Sequence, residues 1–476
     1  MDRFSFSRIR QASFYIPTVI FLFFLGFYLL TARGNVTEAD GIINFMTTRA
    51  LVETASASLP CDLPDKLITQ GNDDICYSKY GIGEPLLSVP LYLAGRLISA
   101  PAPANPNELS LPRLFVSTLN QFVTAVTCSL LYILGYRFTG VKKRAIELAL
   151  VFGLFTIAWP YASASFSQPI IGLLLLAAIT FFYSSNHSQI NNFLAGVFLG
   201  GAFLVRVDSF PQIMAICVWA GYRNWSALNA RRDSEKVRKE FISSIIIILL
   251  PIAASFILFS LIQQNHFGSF FQTGYEGEGW THPFLTGFFG LLFSFGKGLV
   301  FYSPLVLLVP FGLYNLYREG IKDLPILAAI LFVLSLLIYS SWWSWDGAWA
   351  WGPRFLVPSL PIFMIGLLPW LKSKSSFSKL ALFGLILVSF IIQLVGVTTD
   401  PIQYFTTHNI LERELLFNPM VSPIWVQFHF LLSKEVSLLI PSKGHGVLSQ
   451  SQTILWTAVS LGLLIVSIKE LRKSHS

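Results

Sequence analysis

The sequence predicts an all-α, polytopic integral membrane protein of about twelve membrane-spanning segments, and three observations carry that prediction. Charged residues make up only 12% of the 476 residues, about half the share of an ordinary soluble domain. The 54% that are hydrophobic arrive in blocks of about 20, the length a helix needs to cross a bilayer. Lys and Arg gather in the short connections between blocks, as they do in cytoplasmic loops. A chain this long and this apolar cannot cover itself with polar surface, which excludes a soluble enzyme, a disordered protein and a small disulfide scaffold. The net charge of +8 would suit nucleic acid, but it lies in separated clusters with no binding motif, so no nucleic-acid partner is expected.

Taken in order, spans are expected at 14–32, 112–136, 145–160, 168–184, 193–222, 241–263, 299–316, 324–341, 355–371, 380–398 and 452–468. Segment 14–32 resembles a signal peptide, but its apolar run is too long and lacks a clear cleavage site, so it reads as a retained first span. Segment 193–222 is too short for two full crossings and too long for one. It reads as a broken hairpin of two half-length arms with Arg206 and Asp208 at its tip, which requires a protein interior or a water-filled cavity. Residues 85–100 are apolar but interrupted by Pro90, Gly95 and Arg96, and read as a helix lying on the outer surface. The N-terminus, 137–144, 223–240, 317–322, 372–379 and 469–473 hold most of the 33 Lys and Arg. Both termini are therefore assigned to the cytoplasm of a plasma or inner membrane. The outer side keeps the loops 33–111, 264–298, 342–354 and 399–451. Residues 1–371 form one region and 372–476 a C-terminal region.

Candidate chemistry gathers in those outer loops. Glu38 and Asp40 follow closely on the first span; they suit a general base or a cation site, and equally a helix cap. Lys79-Tyr-Gly-Ile-Gly-Glu84 pairs a cation with a glycine turn. Cys61 and Cys76 share this loop on the oxidising side and are expected to form a disulfide; Cys128 and Cys217 lie in apolar blocks as packing residues. The run 342–354 packs Trp342, Trp343, Trp345, Trp349 and Trp351 around Asp346 and ends in Arg354. It reads either as an interfacial aromatic belt or as platforms for sugar rings and lipid. Arg354 at the mouth of a span suits a phosphate. Glu276, Glu278 and Lys297 add further polar groups. No P-loop, GxGxxG or HExxH is present, so a cytosolic nucleotide-sugar donor is not expected.

Several strings resemble, in order, the GT-C superfamily of polytopic glycosyltransferases, notably bacterial relatives of protein O-mannosyltransferases and the lipid A aminoarabinose transferase. They are Glu38-Ala-Asp40, Lys79-Tyr-Gly-Ile-Gly-Glu-Pro85, the turn Trp159 to Pro169, the glycine-rich helix Leu194 to Arg206, Leu291 to Pro304, and Gly352-Pro-Arg354. Gln168 departs from the acid that members often place before that proline. The likeness spans roughly 14–371. It implies a polyprenyl-phosphate sugar donor and transfer on the outer face, usually with inversion, to a glycan, lipid or protein acceptor. On that resemblance Asp40 is the expected base and Glu38 its support. Arg354 and Lys79 lead the phosphate ligands, with Arg206 and Lys297 behind. Trp343, Trp345, Trp349, Trp351, Glu276, Glu278 and Asp346 stand as sugar or lipid contacts. Members differ in metal use, so a divalent cation (Mg or Mn) at Asp40 and Glu38 stays open. The rival readings are a transporter or flippase of lipid-linked sugars and a noncatalytic assembly protein of the same fold. Ionisable residues are scarce inside the spans, which favours the enzyme over the transporter.

Overall fold

A computed structural model describes residues 14–64, 66–72, 74–98, 110–184, 188–229, 234–275, 277–399, 416–432 and 450–475. The chain is overwhelmingly helical. Its first helix, α1 (Tyr15–Leu30), packs against the long helix that closes the chain, Gln450–His475. Gly26 permits that approach, since a Cβ there would lie 2.8 Å from the Ser460 carbonyl oxygen.

The loop that follows α1, expected on the outer side, is itself folded. It contains α2 (Ala39–Glu53), three short strands β1 (Ser58–Leu59), β2 (Ile68–Gln70) and β3 (Cys76–Ser78), and α3 (Gly83–Ile98). The strands pair antiparallel in the order β1-β3-β2, with Leu59 opposite Cys76 and Thr69 opposite Tyr77. This small sheet is absent from the sequence prediction, because strands of two or three residues leave no alternation to read. Cys61 and Cys76 are joined as a disulfide across it, with Cα atoms 5.3 Å apart. Helix α3 runs through Pro90 and leaves Leu86, Leu87, Leu93, Leu97 and Ile98 exposed.

Next come α4 (Leu111–Ser117), α5 (Leu119–Thr139), α6 (Lys142–Phe155), α7 (Ala158–Ala162) and α8 (Gln168–Phe182). The expected span 145–160 is therefore split: α6 stops where Thr156 turns extended, and α7 is a separate turn. The hairpin forms, with α9 (Gln189–Val205) and α10 (Phe210–Asn229) joined by a 3₁₀ turn at Val207–Ser209. Its arms of 17 and 20 residues are longer than the half-length crossings expected, because each helix continues into its polar flank. Helix α11 (Ser234–Phe267) packs along α9.

Inside the expected loop 264–298 lies an apolar helix, α12 (Phe284–Phe293), seated on α15 (Asp323–Ser340). The expected span 299–316 is divided into α13 (Leu299–Tyr302), a 3₁₀ turn and α14 (Val309–Arg318). Segment 354–372 alternates 3₁₀ turns with α16 (Leu360–Phe363) and α17 (Leu368–Lys372), since Pro358, Pro361 and Pro369 each remove a backbone donor. Helix α18 (Ser376–Thr398) and the helix Pro423–Leu432 follow. Six described helices are long and apolar enough to cross a membrane, and four more are apolar but shorter. Length and composition thus account outright for six of the twelve crossings expected. One continuous apolar core joins α1, α5, α6, α8, α9, α15, the 354–372 segment and α18. Residues 400–415 and 433–449, and the N-terminal basic cluster, lie outside the described residues.

Candidate active site

The expected site residues come together because glycines let the first outer loop dock onto the hairpin. A Cβ on Gly81 would stand 2.2 Å from the Leu204 carbonyl oxygen, and one on Gly83 2.7 Å from the Val205 nitrogen. The turn therefore lies flat on the end of α9 and delivers Lys79 and Tyr80 beside Arg206. Gly41, at the start of α2, sits just as tightly against Ser165. Gly347 holds a left-handed φ of +69° directly over the Arg354 stem, a position where a side chain would be both strained and in collision.

Asp40, buried in the first turn of α2, is the centre of the cluster. Its Oδ1 accepts from the Tyr80 hydroxyl at 2.9 Å, and its Oδ2 pairs with Arg354 Nη1 at 3.0 Å. Burial raises its carboxyl, but Arg354, then Arg206, the Tyr80 bond and Lys79 outweigh it and hold it below the ordinary aspartate value. It is ionised at neutral pH. Arg354 also covers the faces of Phe166 and Phe355, and its buried Nε has no partner. One edge of the guanidinium is therefore spent on Asp40 and the adjoining N–H is unspent.

The other two cations carry their own acids. Lys79 Nζ donates to Glu278 Oε1 at 2.5 Å, and Trp343 Nε1 donates to Glu278 Oε2 at 3.0 Å. Arg206 grips Asp208 through Nε and Nη2 at 2.8–3.1 Å, and Tyr339 donates to the same carboxylate at 2.7 Å. The Tyr275 ring faces Lys79 at 5.3 Å and Arg206 at 6.0 Å. Lys79, Tyr80, Arg206 and Tyr275 line an open cavity that Phe259, Ile262, Gln263 and His266 of α11 also wall. Beyond that wall α11 exposes Leu250, Phe256, Ile257 and Leu261. Cations and an apolar path thus meet at one opening.

Other expected residues are placed differently. Glu38 does not share Asp40's partners: its Oε2 accepts from the Ser165 amide at 3.0 Å and its Oε1 lies 3.7 Å from Arg33. Lys297 is not at the cavity. It is buried and donates to the carbonyls of Ala348 and Ala350, and burial pushes its ammonium down to about 7. It braces the tryptophan loop from beneath and is corrected from phosphate candidate to scaffold. Asp346 Oδ1 accepts from the Ala348 amide at 2.7 Å, a turn-capping bond within that loop. The tryptophans divide. Trp345 (0% exposed) is a core side chain, Trp351 (3%) is buried but lines a small cavity with Trp349, and Trp349 (41%) reaches the surface. Gly290 presses on the Trp345 ring, which shows why that indole is locked inward. Trp343 reaches the site through Glu278. Glu276 lies outside the described residues.

Asp40 and Glu38 do not fit a divalent cation. Both oxygens of Asp40 are taken by Tyr80 and Arg354, and three cations surround it where a metal would need further anions. No three His, Cys, Asp or Glu converge as a metal site among the described residues. The site also contains residues that sequence reasoning did not assign: Tyr80, Tyr275, Asp208 and Tyr339. Asp208 had a signal in its i, i+2 spacing from Arg206, and Tyr80 in the string around Lys79; Tyr275 and Tyr339 had none.

The full architecture is similar to solved membrane proteins. ArnT from Cupriavidus metallidurans, bound to undecaprenyl phosphate, matches at a TM-score of 0.51 and 12% identity over 96% of this chain and 77% of its own. The Archaeoglobus fulgidus oligosaccharyltransferase in its apo form matches at 0.50 and 10% identity, over 85% of this chain and 59% of its own. No protein-family model and no curated protein matches the chain. With its folded first outer loop seated on a broken helix pair, and with neighbours of this kind over nearly its whole length, the chain has the GT-C fold of polytopic membrane glycosyltransferases.

Proposed function

We propose that the protein is a membrane glycosyltransferase that takes its sugar from a polyprenyl-phosphate carrier and passes it to an acceptor hydroxyl at the outer face of the membrane. The observation that carries this reading is the Asp40–Arg354 pair, bonded through Tyr80 to a cavity that Lys79 and Arg206 line together with Phe259 and Ile262. A carrier lipid presents this combination: a phosphate at the interface and a hydrocarbon chain beside it. Its phosphate lies within reach of Lys79, Arg206 and the unspent edge of Arg354, with the chain along α11. The ArnT neighbour, solved with undecaprenyl phosphate, is consistent with that ligand class. The disulfide in the same loop suits the oxidising side of a membrane.

In the reaction the acceptor oxygen attacks the anomeric carbon and its proton passes to Asp40. The sugar–phosphate bond breaks, its electron pair stays on the phosphate, and the cations stabilise the charge that develops there. One displacement gives inversion. No step is routed through a metal. Full-length protein in nanodiscs, given polyprenyl-phosphate sugar and hydroxylated acceptors, should form glycoside detectable by mass spectrometry. Asp40→Asn should keep donor binding and lower transfer at least about a hundredfold, within the range a positioned base contributes, while Glu38→Gln is milder. Near-normal turnover by Asp40→Asn would remove it as the base. Movement of the lipid-linked sugar across the bilayer without transfer would favour a flippase, and donor binding with neither would favour an assembly role.

A further inference from the structure

Behind Asp40, where α2, α3 and the junction of α4 with α5 meet, lies a second, smaller cavity. Its polar lining includes Glu84, Asn44, Asn120, Ser88, Ser117 and Ser165. Three oxygens on it are buried without a hydrogen-bond partner: Glu84 Oε2, Asn44 Oδ1 and Asn120 Oδ1. The residues that carry them are only 5%, 4% and 3% exposed.

The orientation of these groups is fixed by their other bonds. Asn120 spends its amide protons on the carbonyls of Ala164 and Phe166, at 2.6 and 2.8 Å. Turning the amide over would set oxygen against oxygen, so its Oδ1 must face away from them. Asn44 stands close enough to the Glu84 carboxylate to favour its charged form, and its own Oδ1 is without a partner. Ser88 and Ser117 give their hydroxyl protons to the carbonyls of Glu84 and Leu114, at 3.0 and 2.7 Å, and so offer lone pairs. Apart from the Ser165 hydroxyl, and with Glu84 ionised, these side chains present acceptors to the cavity.

An unmet buried acceptor costs about 1–3 kcal/mol, so three of them call for an occupant. One water brings two protons to three acceptors. A small hard cation satisfies them all, and oxygen-only ligands are what such ions take. One carboxylate in the ring balances one charge. Glu38 and Asp40 lie close enough to act on Glu84 electrostatically, and they add negative potential. Arg206 opposes them from the hairpin tip, and Arg113, bonded to the Val36 carbonyl, adds positive charge from α4.

We propose that this cavity is a binding site for a small monovalent cation of the sodium class, held by Glu84, Asn44 and Asn120. Ion and proton compete for Glu84. Burial, with Asp40 and Glu38 nearby, pushes its carboxyl up to about 8, so sodium displaces a proton at neutral pH. The site is separate from the phosphate cavity and does not require the proposed transfer reaction.

The test is thermal unfolding of the full-length protein in nanodiscs, titrated with sodium chloride against choline chloride at equal ionic strength. A saturable rise in melting temperature with sodium alone is expected. Its half-point should move about tenfold to higher sodium for each pH unit below 8, as competition with one proton requires. Glu84→Gln should melt as the wild type does in choline and lose the sodium response. An equal response to both salts, no response, or a sodium response retained in Glu84→Gln would overturn the proposal and leave a protonated Glu84 with a water. Should Glu84→Gln fail to fold, the wild-type salt and pH series decides alone.

Discussion

Arg354→Lys tests the site at its most connected residue. The guanidinium holds Asp40 through Nη1 at 3.0 Å while its buried Nε is unspent. A lysine ammonium can keep the carboxylate or reach the phosphate, but it lacks the planar fork that does both. The lost contact is a hydrogen bond between charged groups, worth about 1.5–3 kcal/mol. At about 1.4 kcal/mol per tenfold, kcat/KM for the lipid-linked donor should fall roughly ten- to a hundredfold. Charge is conserved, so Asp40 keeps a buried counter-ion and the melting temperature should change little. Arg354→Ala is the contrasting case: it strands a buried carboxylate, which typically costs about 3–5 kcal/mol, and tests folding more than chemistry. The assay is initial-rate transfer from labelled donor in nanodiscs, with unfolding followed on the same preparations. Arg354→Lys within twofold of wild type would refute the reasoning and move the phosphate to Lys79 or Arg206.

Four other perturbations bear on the same architecture. Tyr80→Phe removes one of the groups that hold Asp40 low. A depressed carboxyl stabilises the fold above its unfolded pKa and loses that contribution as pH falls through the folded one. The variant should therefore shift both the acid limb of kcat/KM and acid unfolding to higher pH, and an unmoved acid limb would show that Asp40 is not the titrating group. Gly81→Ala puts a methyl 2.2 Å from the Leu204 carbonyl oxygen and should lift the loop from the hairpin, with transfer lost before global unfolding. Gly384→Ala, in α18 with nothing within 4 Å, should be neutral or stabilise by up to about 1 kcal/mol; equal effects from the two would argue against the docked turn. Opening the 15-residue Cys61–Cys76 loop by Cys61→Ser with Cys76→Ser should cost about 3 kcal/mol in the chain-entropy model. Unchanged melting of the double variant would refute that.

Where the chain is uniform in composition, its structure was legible. Segment 168–184 has no internal breaker beyond its first turn, and α8 spans Gln168–Phe182. Segments 299–316 and 355–371 are equally apolar but broken. An apolar run reports transfer out of water, and a protein interior satisfies it as well as a bilayer does. The second of these lies within the core, where Pro358, Pro361 and Pro369 divide a helix whose side chains are already buried. The tryptophan loop shows the same ambiguity on a smaller scale, because nothing in its spacing separates the buried Trp345 from the exposed Trp349. At the site, Glu38, Asp40, Lys79, Arg206 and Arg354 each stood out as charges near span ends. The pairing of Asp40 with Arg354, 314 residues away, left no local trace. Glu84 was visible in its string but read as part of a turn; its burial depends on α4 and α5 closing over it.

The charge balance of the site sets how a donor enters. Each cation already holds an acid: Lys79 with Glu278, Arg206 with Asp208, and Arg354 with Asp40. On the proposed function a phosphate therefore shares each cation with a carboxylate, and the three pairs are unequal. Arg206 holds Asp208 by three contacts, and Tyr339 secures the same acid. Glu278 is gripped by Trp343 as well as by Lys79. Arg354 holds Asp40 through one nitrogen only. It is the guanidinium a phosphate shares with least loss, and the phosphate charge offsets the strongest influence lowering the Asp40 carboxyl. Asp40 then becomes a better base at the moment a donor phosphate is bound, which ties proton removal to the presence of the sugar. A neutral isostere of the donor phosphate leaves the pair closed, so the acceptor hydroxyl meets a carboxylate too weakly basic to take its proton.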